Sequence, residues 1–289
     1  MSPRKLEDLM LTPVFSGLWK GVTGSGKTIA SCGKEFRPVY TFDFEGRMDS
    51  VANYYKRLDG HCKDVEFDTF AMGESWQRVD QRMEELVQSC PYKSVNIASL
   101  TSFIHFVLKH TIEAKHGKRR SSGAAAGKYI AGIPVNELED YNAEDAAIIF
   151  ELIQFLQLLK DSGVNVFLEA HISPYDIKTG TGQNERIETI FQILTKGKKA
   201  PAQIPGYFNE VYLFERSYEG MASVGTGKIK YTVNTTGKPG HDCKSSMGIT
   251  GFEWTDLDFS TILVNQLSKE VKANPRIDPG GTRASTVKF

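Results

Sequence analysis

One glycine-rich motif near the N-terminus constrains the fold of this chain more than any other feature. Residues 21–28 read GVTGSGKT and match the pattern G-x-x-x-x-G-K-[ST] in full. Residues 14–20 predict a short β-strand before the motif, and a helix is expected to follow from about Thr28. Glycines at this spacing let backbone N–H groups turn inward around an anion, and the helix N-terminus adds a favourable dipole. The motif therefore predicts a phosphate-binding loop between a strand and a helix.

The residue types of this loop indicate a nucleoside triphosphate. Lys27 is expected to reach the β- and γ-phosphates, and the Thr28 hydroxyl is expected to ligate Mg²⁺. The predicted nucleotide-binding residues are Gly21, Thr23, Gly24, Ser25, Gly26, Lys27 and Thr28. Thr28 is thus predicted both to bind the nucleotide and to ligate the metal.

The segments after the loop alternate between strand and helix patterns. Predicted strands cover residues 39–44, 65–70, 93–98 and 164–168, and predicted helices cover 50–58, 74–89, 99–110 and 142–160. This alternation predicts an α/β fold with a mostly parallel sheet flanked by helices. Residues 210–215 and 221–234 predict a C-terminal antiparallel extension, and the polar residues 115–140 and 173–206 predict two long loops.

Composition indicates a globular protein of the cytoplasm. The chain of 289 residues is 40% hydrophobic and 24% charged, which supports a well-buried core and argues against global disorder. No run approaches the ~18 apolar residues of a membrane helix, so no membrane partner is expected. The N-terminal residues lack an apolar signal core. The 4 cysteines are scattered, which favours reduced thiols over a disulfide framework or a zinc site.

The second predicted strand ends in acidic residues that suit phosphoryl chemistry. Asp43 and Glu45 would lie at the carboxyl edge of a parallel sheet, beside the phosphate loop and on one face. Catalysis at such a site needs one carboxylate to orient water and another to hold the metal. The alternative is a pair of solvated loop acids.

Residues 40–49, YTFDFEGRMD, resemble the RecA-type segment in which a strand ends in Asp-x-Glu with another Asp four residues on. Together with the phosphate loop, they make the chain similar to phage-encoded RecA-like nucleotide-binding proteins over about residues 12–250. The resemblance implies a RecA-like P-loop NTPase core, ATP and Mg²⁺ as cofactors, and Glu45 as the residue that activates water. We therefore expect an ATPase domain at 1–267, and the composition of the last residues, with Pro, Gly, Arg and Ser and few apolar groups, predicts a flexible tail at 268–289.

The chain departs from the RecA-like pattern on the strand predicted at 93–98. RecA-like proteins end their Walker B strand in Asp-Ser, whereas this chain has Ala98 and Ser99. An alanine cannot accept a hydrogen bond from a Mg²⁺-bound water, so slow ATP turnover with nucleotide as a structural switch is expected. Asp43 is the predicted substitute metal ligand.

The resemblance also assigns two residues beyond the loop and the acids. RecA-like proteins carry a residue that senses the γ-phosphate at the end of a buried strand. Here the preferred candidate for that residue is His171, and Glu169 is the second choice. Lys238 and Lys244 lie where such proteins present a lysine to the ATP of a neighbouring subunit, and Lys244 is the preferred candidate. A lysine acting in trans implies a homo-oligomer, either a ring or a filament, because the site is completed between subunits.

The two predicted loops follow the strands from which RecA-like proteins send their DNA-binding loops. The residues predicted to contact DNA are basic: Lys118, Arg119, Arg120, Lys128, Lys196, Lys198 and Lys199. The resemblance implies single-stranded DNA as the partner, in phage recombination or annealing in the host cell cytoplasm. Because 35 Lys and Arg balance 35 Asp and Glu, any DNA binding should be local and salt-sensitive.

Two other functions stay open at this stage. A phage nucleotide-binding ATPase could control assembly or regulation without any DNA role. A P-loop small-molecule kinase is the weaker alternative, since kinases carry an arginine-rich lid and Arg119–Arg120 is the only close arginine pair outside the tail.

Overall fold

The computed structural model describes residues 14–60, 62–71, 74–122, 129–130, 133–134, 147–179, 186–195, 200–219, 228–237 and 239–273. Side chains are described over the same ranges except 112–122, 129–130, 133–134, 179, 228 and 269–273. Within them the strands are β1 (Ser16–Gly21), β2 (Val39–Asp43), β3 (Val65–Thr69), β4 (Ser94–Ala98), β5 (Tyr129–Ile130), β6 (Ile133–Pro134), β7 (Asn165–Ala170), β8 (Ile172–Thr179), β9 (Arg186–Ile193), β10 (Glu210–Glu219), β11 (Lys228–Asn234), β12 (Lys244–Ser245) and β13 (Phe252–Glu253).

Helices cover both faces of the sheet that these strands form. They are α1 (Lys27–Ser31), α2 (Met48–Asp59), α3 (Trp76–Gln88), α4 (Leu100–Ser122), α5 (Gln154–Asp161), α6 (Ala200–Gln203) and α7 (Phe259–Ala273). Short 3₁₀ turns cover Lys34–Phe36 and Ile204–Tyr207, and a π-helical stretch over Ala147–Ile153 leads into α5. No helix in the described ranges is both long enough and apolar enough to span a bilayer.

The main sheet is mostly parallel with antiparallel strands on its C-terminal side. Its order over the described strands is β13-β11-β10-β1-β7-β4-β2-β3, with β12 also paired to β10. Strands β10, β1, β7, β4, β2 and β3 run parallel, whereas β11, β12 and β13 join antiparallel. The predicted parallel α/β sheet with an antiparallel extension is therefore confirmed. Strand β7 lies between β1 and β4, which brings the ends of three chain-distant strands to one edge.

Two hydrophobic clusters lie on opposite faces of the sheet, because successive side chains of a strand alternate between its faces. Leu18 contributes to the cluster under α3, α4 and α5, and the next residue, Trp19, to the cluster under α1, α2 and α7. The Trp19 ring stacks between Phe167 and Tyr212, with ring centroids 5.2 Å and 5.0 Å away. This aromatic layer ties β7, β1 and β10 together beneath the phosphate loop.

Three segments differ from the predicted pattern. Helix α4 continues to Ser122, so residues 115–122 are helical where a loop is predicted, because Glu, Ala, Lys and Arg favour a helix despite their polarity. Residues 173–206 contain the hairpin β8–β9 and helix α6 rather than a loop. Helix α7 extends to Ala273 and crosses the predicted tail boundary at residue 268.

Candidate nucleotide-binding site

The loop between β1 and α1 has the backbone that its glycines predict. Gly24 and Gly26 have φ values of 74° and 90°, a left-handed region that side chains disfavour. A Cβ on Gly26 would lie 2.5 Å from the Trp254 ring, and a Cβ on Gly24 would lie 2.6 Å from an Arg216 nitrogen. Gly26 therefore needs glycine for backbone conformation and for space, whereas Gly24 needs it for backbone conformation, because the end of the exposed Arg216 side chain can move. The loop is the predicted strand–loop–helix unit, with Lys27 as the first residue of α1.

Lys27 is buried and folded back onto its own loop. Its Nζ donates hydrogen bonds to the carbonyl oxygens of Gly21 at 3.0 Å and Val22 at 2.9 Å. Burial lowers the pKa of Lys27 to about 8, against the opposing influence of the Glu169 and Glu45 carboxylates. An anion brought next to Lys27 would favour its charged form, so the side chain is prepared to bind phosphate.

A cavity of about 250 Å³ opens beside this loop. Its lining includes two cations, two carboxylates, a hydroxyl, an imidazole and an aromatic ring, which are Lys27, Arg216, Glu45, Glu169, Thr28, His171 and Tyr231. Of the residues predicted for the loop, Thr23, Gly24, Ser25 and Gly26 also line it. The predicted phosphate loop, water-activating residue and sensor thus share one cavity.

Glu45 is held by donors from two other segments. Its Oε1 accepts hydrogen bonds from Ser99 Oγ at 2.6 Å and Ser102 Oγ at 3.2 Å, and His171 Nε2 lies 2.8 Å from the same oxygen. Arg47 pairs with Oε2 at 3.2 Å. Burial opposes ionisation, but the His171 and Ser99 hydrogen bonds and the nearby charges outweigh it and lower the pKa of Glu45 to about 2. Glu45 is therefore a fixed, ionised carboxylate in the cavity.

Asp43, the predicted substitute metal ligand, is hydrogen-bonded to the backbone that follows β2. It is buried, and its carboxylate accepts backbone N–H hydrogen bonds from Glu45, Gly46 and Arg47 at 2.8–3.3 Å. It is not among the residues that line the cavity. Its hydrogen bonds shape the turn that carries Glu45, and the role of Asp43 as a ligand of Mg²⁺ stays a prediction.

The acidic group next to Thr28 is Glu169 instead. Glu169 Oε2 accepts a hydrogen bond from Thr28 Oγ1 at 2.7 Å, and Oε1 accepts one from Asn96 Nδ2 at 2.7 Å. Complete burial raises the pKa of Glu169, against the hydrogen bonds from Thr28 and Asn96. The sequence favours Glu169 only as a second choice for the sensor, because an acid at a strand end gives no signal of which loop it meets.

Two further residues of the cavity have no signal in the sequence. Arg216 on β10 and Tyr231 on β11 reach the loop from the antiparallel side of the sheet, where β11 pairs Tyr231 with Arg216 in register. Tyr231 is half-buried against Trp254, with ring centroids 5.1 Å apart. The pairing of β10 with β11 is what aims both side chains at the loop, and no local motif encodes that pairing.

Lys244 is not among the residues that line this cavity, and the side chains of the residues predicted to contact DNA are not described. Lys244 is exposed on β12 and pairs with Val211, near the start of β10, whereas the phosphate loop adjoins Phe214 farther along that strand. Lys244 thus lies toward the opposite end of β10 from the phosphate loop of its own chain. Lys118, Arg119 and Arg120 lie on the last turns of α4 with undescribed side chains, and Lys128, Lys196, Lys198 and Lys199 lie outside the described residues, as does Lys238.

Comparisons with known proteins find likeness among solved structures. No protein-family model matches the chain, and no curated protein matches it. Among solved structures it is similar to the crystal structure of KaiC-like protein PH0186 from the hyperthermophilic archaeon Pyrococcus horikoshii OT3, with a TM-score of 0.41 and 12% identity. The match covers 84% of this chain and 86% of the other. A likeness of this size carries no functional argument, so the geometry of the cavity is the evidence for function.

Proposed function

We propose that this chain is a RecA-like ATPase that binds ATP with Mg²⁺ and hydrolyses it. The observation that carries the proposal is the shared cavity of the phosphate loop and Glu45, an ionised carboxylate fixed by His171 and Ser99. Lys27 and the loop N–H groups bind the phosphates, and Thr28 offers an oxygen ligand to Mg²⁺. The bound cation neutralises charge on the phosphates.

Glu45 orients and deprotonates the attacking water in this proposal. A carboxylate with a pKa of about 2 is a weak base, so its main contribution is to position the water. The donors on its Oε1 leave Oε2, beside the half-exposed Arg47, as the oxygen available to that water. Arg47 and Lys27 place positive charge on either side of the transferring phosphoryl group.

Steady-state release of phosphate from ATP tests this proposal. Glu45→Gln should lower turnover about 100-fold or more while ATP affinity stays within a few-fold of the wild type. Glu84→Gln, an identical change at an exposed site on α3, is the matched control. Equal turnover in the Glu45→Gln variant and the wild type would contradict the role of Glu45.

We also propose that the hairpin β8–β9 contacts single-stranded DNA and reports on the nucleotide. The hairpin begins at Ile172, directly after His171, whose ring contacts Glu45 in the cavity. It carries Lys178 and Arg186 on opposite strands, and Tyr175 is 48% exposed, as suits stacking on a base. These features support a non-specific, backbone-dominated contact of the kind that RecA-like recombination or annealing proteins make.

Fluorescence anisotropy with labelled single-stranded DNA tests the hairpin. The double variant Lys178→Ala/Arg186→Ala should weaken binding and flatten its dependence on salt. The double variant Lys56→Ala/Arg57→Ala removes the same charge from the exposed face of α2 and should bind like the wild type. No binding at low salt, with or without ATP, would refute the DNA role and favour a nucleotide-controlled assembly protein.

The proposal includes a homo-oligomer in which Lys244 completes the site of a neighbour. Its support is that Lys244 is exposed and placed at the far end of β10 from the phosphate loop of its own chain. Light scattering with and without ATP tests the assembly, and mixing Lys244→Ala subunits with Glu45→Gln subunits tests the contribution in trans. Mixed assemblies should recover turnover if the lysine acts across the interface, and no recovery would contradict it.

A further inference from the structure

Glu169 accepts hydrogen bonds from three side chains, two on α1 and one on β4. It is the next-to-last residue of β7 and is 2% exposed. Its Oε2 accepts from Thr28 Oγ1 at 2.7 Å, and its Oε1 accepts from Asn96 Nδ2 at 2.7 Å and from Ser31 Oγ at 3.1 Å. A buried carboxylate is costly unless its oxygens are paired, and here both are paired. One of the donors is the hydroxyl predicted to ligate Mg²⁺.

The register of the sheet relates Glu169 to Ala98. Strands β4 and β7 pair Ile97 with Leu168, so the parallel register continues to Ala98 beside Glu169. Paired residues of adjacent strands project to the same face of a sheet, so Ala98 and Glu169 share a face. Asn96 lies two residues before Ala98 and therefore projects to that face as well. An acid at position 98 would put two buried carboxylates side by side, which is unfavourable because like charges cannot both ionise there. The two positions can therefore hold one carboxylate between them.

We propose that Glu169, on β7, supplies the carboxylate that position 98 on β4 lacks, and that it positions Thr28 and adds negative charge for a bound magnesium ion. The inference rests on the proposed nucleotide function of the cavity. The Thr28 hydroxyl donates a hydrogen bond to Glu169, so the lone pairs of Thr28 Oγ1 are left for a cation. Asn96 and Ser31 hold the other oxygen of Glu169 and so fix the carboxylate. Ala98 then gives no reason for slow hydrolysis.

The donor set fits a magnesium ion shared with phosphates. Thr28 offers an oxygen atom, the type of ligand that Mg²⁺ prefers, and Glu169 adds negative charge behind it. Mg²⁺ commonly takes few protein ligands beside substrate phosphates and water. Within the described residues no group of three or more His, Cys, Asp and Glu side chains is arranged to hold a metal alone. The cavity is therefore suited to a metal that arrives with a nucleotide.

The gain in nucleotide affinity that Mg²⁺ causes distinguishes a role of Glu169 in metal binding from a purely structural role. The affinity for a fluorescent ATP analogue is measured in EDTA and in MgCl₂, with the ratio of the two as the readout. Glu169→Gln keeps the shape of the side chain. The Oδ1 atom of Asn96 has no hydrogen-bond partner among the described residues. It can therefore accept a hydrogen bond from the new amide once the Asn96 side chain flips. The ratio should fall at least about tenfold, as for other partners of metal ligands.

The sign of the effect in EDTA is a second signature. Removing a negative charge from a phosphate-binding cavity should leave the affinity in EDTA unchanged or tighter, whereas a damaged fold would weaken it. Glu210→Gln is the matched control, because Glu210 is also fully buried and hydrogen-bonded, by Tyr212 and Ser246, but lies at the opposite end of the strands. It should leave the ratio unchanged.

A rescue variant tests the relation to position 98. Ala98→Asp in the Glu169→Gln background should restore part of the magnesium-dependent ratio, and no recovery in a folded double variant would contradict the inference. An equal ratio in Glu169→Gln and the wild type would also overturn it while leaving nucleotide binding intact. A wild-type chain that binds no nucleotide in either buffer would refute the proposed function and the inference together.

Discussion

Glu45→Gln should change the pH dependence of stability as well as turnover. The carboxylate accepts hydrogen bonds from Ser99 and Ser102 and contacts His171 and Arg47, and its side chain is only 12% exposed. These contacts hold its pKa at about 2 against an ordinary value of 4.5. Because the folded value is the lower one, the ionised carboxylate stabilises the native state above pH 4.5, and this stabilisation is lost as the pH falls through 2.

The size of the effect follows from that depression. A pKa lowered from 4.5 to about 2 corresponds to ~3 kcal/mol of stability at neutral pH, since each tenfold change in proton affinity is worth about 1.4 kcal/mol. Roughly 2 kcal/mol of this should already be lost at pH 3, where the unfolded chain binds the proton and the folded chain does not.

Urea unfolding of the wild type and the Glu45→Gln variant measures this between pH 7 and pH 3. The difference between their unfolding free energies should shrink by roughly 2 kcal/mol over this range. The exposed control Glu84→Gln should show a difference that changes little with pH. A constant difference between Glu45→Gln and the wild type would refute the account of Glu45 as an ionised group held by His171 and Ser99.

Three further experiments test other parts of the cavity. Because burial lowers the pKa of Lys27 to about 8, binding of ATP at pH 8 should be accompanied by uptake of a fraction of a proton. The heat of ATP binding should then vary with the ionisation enthalpy of the buffer, and a heat that is the same in all buffers would contradict this. Gly26→Ala should abolish ATP binding, since its Cβ would lie 2.5 Å from Trp254 at a φ of 90°, and wild-type affinity would refute the steric argument. Arg216→Ala should weaken ATP binding about fivefold, as expected for an exposed cation at the rim, whereas Arg57→Ala on α2 should not; equal affinities would place Arg216 outside the phosphate site.

The local signals of the sequence predict the loop and the sheet. The glycine motif at 21–28 and the alternation of strands and helices depend on short-range patterns, and β1, α1 and the parallel sheet follow them. Glu45 is predictable for the same reason, because it follows directly from the end of β2. Each of these features is encoded within one strand–loop–helix unit.

The partners of Thr28 and of the phosphate loop depend on pairing between distant strands. Thr28 and Glu169 are 141 positions apart, and they meet because β7 lies between β1 and β4. Asp43 is nearer than Glu169 to Thr28 in the sequence, but its carboxylate accepts hydrogen bonds from backbone N–H groups of the turn that follows it. Strand order decides which carboxylate reaches the loop, and the sequence pattern does not encode it.

Calorimetric titration of ATP with Mg²⁺ tests the central claim most directly, that this cavity is a nucleotide site built on Lys27. The account predicts one site per chain in the wild type and no measurable binding in Lys27→Ala. The fold of this variant should persist because, among the described residues, Lys27 Nζ donates hydrogen bonds only within its own loop. Binding of equal affinity in Lys27→Ala, or no binding in the wild type, would contradict it.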